Sequence, residues 1–319
     1  MSNFTTEPFT TNPYVTNPYV TNPWITGCNP IDAKPTAGQT LTLKLSLPAE
    51  KTVTIDWGDG NTTNVIGPVG SVDYANTYAD AGTYPIRMSG DFQYLTRLEI
   101  KDVNVDGTTE RLGALLGLTT FVCSGSNTLS GDVANLPVGL TYAIFNGQNI
   151  LSGDINNLPV DLWTFVCNGS NTLSGDITNL PAGLRAFSCY GSNILSGDIT
   201  NLPAGLTSLR CGGSNILSGD ITNLPAGLAT FYCTGRNTIS DYTTPHTWTT
   251  KPAAFQLKPV APGGLSTAEI DQLLIDFDDD LAWSSGDIIE LTGANAARSS
   301  ASDAAVSNIV AEGCSVTTN

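Results

Sequence analysis

The sequence predicts a mainly β protein: an extended N-terminal arm, a small β-sandwich, then a solenoid of short parallel strands closed by a partly helical C-terminal cap. Three observations predict it. Prolines recur at every fifth residue near the start, a two-residue apolar alternation runs from about residue 33 to 92, and a 22-residue repeat follows. Composition agrees. Of the 319 residues 40% are apolar, enough for a core, and only 13% are charged, while Gly, Pro, Thr, Ser and Asn abound as in turn-rich β architecture.

The arm spans residues 1–32. Glu7-Pro8-Phe9-Thr10-Thr11 is followed by Asn12-Pro13-Tyr14-Val15-Thr16, Asn17-Pro18-Tyr19-Val20-Thr21 and Asn22-Pro23-Trp24-Ile25-Thr26. Proline fixes φ, lacks an N–H and pushes its predecessor towards extended conformations, so a helix is excluded. A disordered linker suits such a composition, but an aromatic and a β-branched residue in every period favour burial. Phe9, Tyr14, Tyr19 and Trp24 are therefore expected to anchor the arm on a partner.

Residues 33–92 read as short strands at Thr40–Leu45, Thr52–Trp57 and Thr83–Met88. A period of two sets Leu41, Leu43 and Leu45 on one face and Val53, Ile55 and Trp57 on another, as two sheets of a sandwich require. The turn Trp57-Gly58-Asp59-Gly60-Asn61 and the later run Asn76-Thr77-Tyr78-Ala79-Asp80-Ala81-Gly82-Thr83-Tyr84 resemble the polycystic-kidney-disease (PKD) family of immunoglobulin-like domains. The resemblance implies a spacer or adhesion module without catalysis.

Residues 93–262 repeat with a spacing of 22. One unit reads Leu118-x-x-Phe121-x-Cys123-x-Gly125-x-Asn127-x-Leu129-Ser130-Gly131-Asp132-Val133-x-x-Leu136-Pro137, and its leading leucine returns at Leu140, Leu162, Leu184, Leu206 and Leu228. Such regularity is the signature of a coil whose turns stack on one another. The pattern resembles the leucine-rich-repeat family, with one extra residue before the Asn column. An earlier turn shows at Leu95–Ile100 and a later one at Ile289–Asn295. In residues 263–319, Ser266-Thr267-Ala268-Glu269 is a capping box opening a helix through Ile270, Leu273, Leu274 and Phe277. A second helix should run from Ser302 to Gly313, where glycine suits the left-handed residue after the last turn.

Candidate chemistry falls on the repeat. Cys123, Cys167, Cys189, Cys211 and Cys233 share one column that Phe145 fills in the second repeat, so they are expected as reduced core thiols and not as metal ligands. Cys28 and Cys314 lie outside it, paired or unpaired. Asp132, Asp154, Asp176, Asp198 and Asp220 form a second column. Stacked turns about 4.8 Å apart would bring these carboxylates into repulsion of roughly 1 kcal/mol per pair. Either backbone N–H groups in each Ser-Gly-Asp turn satisfy them, or calcium runs along the edge. The Asn column from Asn127 to Asn237 reads as an amide ladder for buried backbone groups.

The outward side of the short strands is the candidate binding face: Val122, Ile144, Val166, Ser188, Arg210 and Tyr232, flanked by Tyr142 and Tyr190. The lone histidine, His246, comes without a nucleophile elbow, phosphate loop or HExxH pattern, so no enzyme and no cofactor are expected. Thirteen Lys and Arg against 29 Asp and Glu give a net charge of −16, a poor match to nucleic acid. Neither a secretory signal nor an apolar run long enough for a bilayer is visible.

PKD-like and leucine-rich-repeat modules work outside cells, whereas this sequence opens without an export signal. A component assembled inside a cell and exposed later reconciles the two. The whole thus resembles a bacteriophage virion surface or fibre protein: an arm binding other virion proteins, and a repeat face for a host-surface protein or glycan. A bacterial cell-surface adhesin and an intracellular leucine-rich-repeat scaffold or effector are the alternatives.

Overall fold

A computed structural model describes residues 27–244, 246–260 and 263–319. Phe9, Tyr14, Tyr19 and Trp24 lie outside these residues. The chain opens with β1 (Gly27–Ala33), β2 (Thr40–Leu47), β3 (Thr52–Asp56), β4 (Thr62–Ile66), β5 (Val69–Thr77) and β6 (Tyr84–Gly90). As the alternation requires, β2 and β3 fall in different sheets. Leu41, Leu43 and Leu45 from one and Val53, Ile55 and Trp57 from the other are buried between them. The first sheet runs β5–β2 and the second β4–β3–β6–β1, all antiparallel. The Trp57–Gly60 turn joins β3 to β4, and Tyr78 donates its hydroxyl to the Trp57 carbonyl at 3.1 Å. Strand β1 belongs to this sandwich, so the boundary drawn after residue 32 falls inside a strand; backbone pairing with β6 fixes residues 27–33 there.

Neither sheet stops at the sandwich. Strand β7 (Arg97–Lys101) pairs antiparallel with β2 and parallel with β9 (Thr120–Asp132). On the other side β8 (Val105–Thr108) pairs antiparallel with β1 and parallel with β9. Both sandwich sheets therefore continue into the two sheets of the coil. One hydrophobic core extends from Ile31 to Cys314, shared by sandwich and coil. The sandwich is the N-terminal lid of the solenoid, covering an apolar end that the first repeat would otherwise expose.

In the coil, β9, β10 (Tyr142–Asp154) and β11 (Thr164–Asp176) each turn a corner from the first sheet to the second. Later turns split there into β12 (Ala186–Gly191) and β13 (Ile194–Asp198), then β14 (Ser208–Cys211) and β15 (Ile216–Ser218). A glycine sits at the corner. Gly169 has φ +147°, and a Cβ on it would meet the backbone of Gly147 and Asn149 in the turn before. Leucines at 118, 140, 162, 184, 206 and 228 are all buried.

The first sheet goes on through β16 (Thr230–Gly235), β17 (Ala254–Pro259), β18 (Ile288–Leu291) and β19 (Ser315–Thr318). Helix α1 (Thr109–Leu112) is a single turn beside β1 and β9. Helices α2 (Thr267–Asp280) and α3 (Asp303–Ala311) replace the second sheet at the C-terminal end. The Ser266–Glu269 capping box is formed, and Gly313 after α3 has φ +103°. Phe277 of α2 meets Trp248, Phe255 and Trp283 with ring centroids 4.9–5.3 Å apart. That aromatic cluster closes the end of the stack.

Candidate functional site

Each turn is built from three ladders. Asn127, Asn149, Asn171, Asn193, Asn215 and Asn237 are fully buried, and their Oδ1 atoms accept backbone N–H groups at 2.9–3.1 Å. The donor always comes from the preceding turn: Leu173 N–H gives to Asn193, for example. The amide ladder thus ties neighbouring coils together where β pairing is interrupted at the corner.

The Asp column caps instead. Asp132, Asp154, Asp176, Asp198 and Asp220 each accept the N–H two residues on, at 2.8–2.9 Å, opening a 3-10 turn such as Ile177–Asn179. The carboxylates do not stack. In the second sheet Leu173 faces Gly153 and Leu195 faces Gly175, a step of 20 residues, whereas Phe165 faces Ala143 in the first sheet, a step of 22. Asp154 consequently lies beside Ser174 and not beside Asp176. Two residues of offset and one strand spacing separate successive Asp backbones by roughly 8 Å, which halves the repulsion expected for a straight column. The stagger lays each carboxylate over the glycine of the next turn: Asp132 over Gly153, Asp154 over Gly175, Asp176 over Gly197. Among the described residues no group of three or more His, Cys, Asp or Glu is arranged to hold a metal ion.

The cysteine column is interior. Cys123, Cys167, Cys189, Cys211 and Cys233 are free and fully buried. Burial pushes the Cys123, Cys211 and Cys233 thiols well up; at Cys189 a hydrogen bond with Cys167 acts first and burial second. In the second turn Phe145 takes the cysteine place while Ala143 takes that of Phe121 and Phe165, exchanging large for small. The Phe145 ring fills the gap, 5.1 Å from Phe121 and 6.2 Å from Phe165. Cys28 and Cys314 are also free, at opposite ends of the core.

Strand register aligns Val122, Ile144, Val166, Ser188, Arg210 and Tyr232 in one row on the outer side of the first sheet. Tyr142 lies in the neighbouring row, 38% exposed, while the side chain of Tyr190 lies outside the described residues. His246, away from this face, packs edge-on against Tyr242 and Trp248 near the aromatic cluster.

A signal that periodicity does not display appears once the turns are superposed. From the buried Asn to the Leu-Pro pair the turns barely change, even at the exposed residues Asn157, Asn179, Asn201 and Asn223. On the outer first sheet the columns are more mixed: Thr120, Tyr142, Thr164, Ala186, Ser208 and Thr230 hold four residue types, and Val122, Ile144, Val166, Ser188, Arg210 and Tyr232 hold five. The margin just before it reads Thr119, Thr141, Trp163, Arg185, Thr207 and Ala229, again four residue types. Exposure alone cannot produce that contrast, since both groups are on the surface.

Parallel stacking in a 22-residue step, leucine and phenylalanine columns inside and an Asn ladder at the corner define the architecture. The fold is a leucine-rich-repeat-like solenoid. No protein-family model matches the sequence, and no curated protein is significantly similar. Among solved structures the chain is similar to a plant peptide hormone receptor, RGFR1 in complex with RGF2: TM-score 0.39, 18% identity, covering 66% of this chain and 38% of that one. It is also similar to PEPR1 in the PEPR1–AtPEP1 structure: TM-score 0.37, 17% identity, covering 61% and 31%. The chain therefore spans less than two fifths of either receptor chain's length.

Proposed function

We propose that this chain is a non-enzymatic interaction protein that uses the outer face of its first sheet to bind a protein partner. The observation that carries this reading is where aromatic and basic side chains enter the repeats: Tyr142, Trp163, Arg185, Arg210 and Tyr232 all fall on that face or its margin, while the exposed column Thr128, Ile150, Thr172, Ile194, Ile216 and Thr238 alternates between Thr and Ile alone. Tyr142, Trp163 and Tyr232 among the varied positions are residue types that dominate binding energy at interfaces. Replacing Tyr142 and Tyr232 together by Ala should weaken attachment of the native assembly to its target about tenfold or more. Replacing Asn179 and Asn201 by Ala, exposed but constant, should leave it unchanged; equal effects of the two pairs would overturn the assignment.

The finer reading is a bacteriophage surface or fibre component. It draws support from the order of parts, with an aromatic pentad arm ahead of a lidded, rigid coil, and from the thiols. Cys167, Cys189, Cys211 and Cys233 sit one turn apart and unpaired, which suits folding in a reducing compartment before exposure better than folding during export. This favours a virion over a secreted adhesin. Mass spectrometry of purified particles should find the chain, and deleting residues 1–26 should abolish its incorporation while leaving the fold. Normal incorporation of the shortened chain would show that the arm is not the anchor.

A further inference from the structure

The charges on the variable face have a single sign. Ten of the thirteen Lys and Arg residues are ion-paired with Asp or Glu. The remaining three, Arg185, Arg210 and Arg236, have no acidic partner among the described residues and are exposed. Arg185 and Arg210 fall in the mixed columns, Arg236 replaces the serine of positions 126, 170, 192 and 214, and the three occupy successive turns. Arg185 stands at the margin where β12 enters the sheet, Arg210 in the middle of β14 beside Tyr232, and Arg236 just past β16. From Leu118 to Arg236 the first-sheet segments before the corner carry no Asp or Glu, the nearest acid in sequence being Asp161 in the loop two residues before Trp163, in a chain with net charge −16.

We infer that the partner presents a carboxylate-rich stretch of polypeptide to Arg185, Arg210 and Arg236, adjoining an aliphatic stretch that covers Val122, Ile144 and Val166. This rests on the proposed binding face and specifies what it binds. The three arginines step along the strand by three and four residues and across it by one strand each time. At about 3.3 Å per residue and 4.8 Å per strand Arg185 and Arg210 stand roughly 11 Å apart on the sheet, and Arg236, just past the corner glycine Gly235, adds at most roughly 14 Å to the path. Guanidinium groups so spaced cannot converge on one phosphate. They match an extended chain of up to about seven residues with several carboxylates. The amino-terminal half of the face separates a polypeptide from an acidic glycan: the Val122–Ile144–Val166 row would desolvate sugar hydroxyls without offering them a hydrogen bond.

The test uses the full chain and two labelled probes, a synthetic peptide of glutamates joined to a short Val/Ile segment and an oligogalacturonate of equal charge, followed by fluorescence anisotropy. The peptide should bind and weaken as salt rises. Changing Arg185, Arg210 and Arg236 together to Gln should lower its affinity about tenfold, the sum of three modest charge contacts. A control changing Lys34, Arg87 and Arg298 to Gln removes the same charge elsewhere and should have little effect. Equal losses in the two triples would reduce the effect to net charge and overturn the site. Tighter, arginine-dependent binding of oligogalacturonate would reassign the partner to an acidic glycan. Absence of binding by either probe would overturn the acidic partner, whereas the Tyr142 and Tyr232 variants would still report on the face itself.

Discussion

Gly197 shows how a single position can be forced by its neighbour one turn away. Its φ of +112° is costly for a residue with a side chain, and the Asp176 carboxylate occupies the space a Cβ would need. Gly205, in the Pro-Ala-Gly loop, has no positive φ and nothing within 4 Å of its Cβ position. Gly197→Ala should therefore destabilise by more than about 1 kcal/mol, and Gly205→Ala should be neutral or stabilise by roughly 0.4–1 kcal/mol. Urea denaturation of the pair checks this; equal effects would mean that the Asp-over-Gly contact does not constrain the turn. The thiols make a second residue-scale case. Buried and pushed away from ionisation, Cys123, Cys211 and Cys233 should resist alkylation in the native protein and react only on unfolding. Rapid native labelling at Cys211 would contradict the inward facing of β14.

At the scale of elements, the buried polar side chains of the C-terminal cap include two carboxylates, whereas those of the repeats are amides, the Asp column lying nearer the surface. Asp271 of α2 accepts hydrogen bonds from Ser299 N–H at 3.0 Å and the Ser302 hydroxyl at 2.6 Å. Asp287 accepts from Ser284 and pairs with Lys251. Burial works to raise both pKa values, but these hydrogen bonds and the nearby cations outweigh it and hold the two carboxyls below their usual range. A folded-state pKa below the unfolded one contributes stability that is complete above the unfolded value and is lost as pH falls through the folded one. The cap should thus loosen below about pH 4, ahead of the Asn-tied coil. Trp248 and Trp283 fluorescence, from the cluster around Phe277, should shift at a higher pH than the circular dichroism of the sheets. Coincident transitions would contradict this order.

At the scale of the molecule, both sandwich sheets run unbroken into the coil, through β7 and β9 on one side and β1, β8 and β9 on the other. Removing residues 27–92 would strip β7 of β2 and expose Leu98 and Ile100, which are buried in the whole chain. The full chain should then melt in one calorimetric transition, and the repeats without their lid should melt earlier or aggregate. Two well-separated transitions in the full chain would show that sandwich and coil unfold independently.

The sequence by itself determined the periodic parts. The 22-residue step, the Leu, Phe, Cys and Asn columns, the capping box at Ser266 and the assignment of β2 and β3 to opposite sheets all follow from local spacing, because every turn sees the same neighbours. Strand β1, preceded by the prolines of the arm and itself containing Pro30, carries no alternation strong enough to separate it from the arm; only pairing with β6 and β8 shows where it belongs. The Asp stagger and the merging of sandwich and coil were likewise decided by tertiary structure. Both depend on register between strands, and a sequence period gives the length of a turn without saying how far the next turn slides against it.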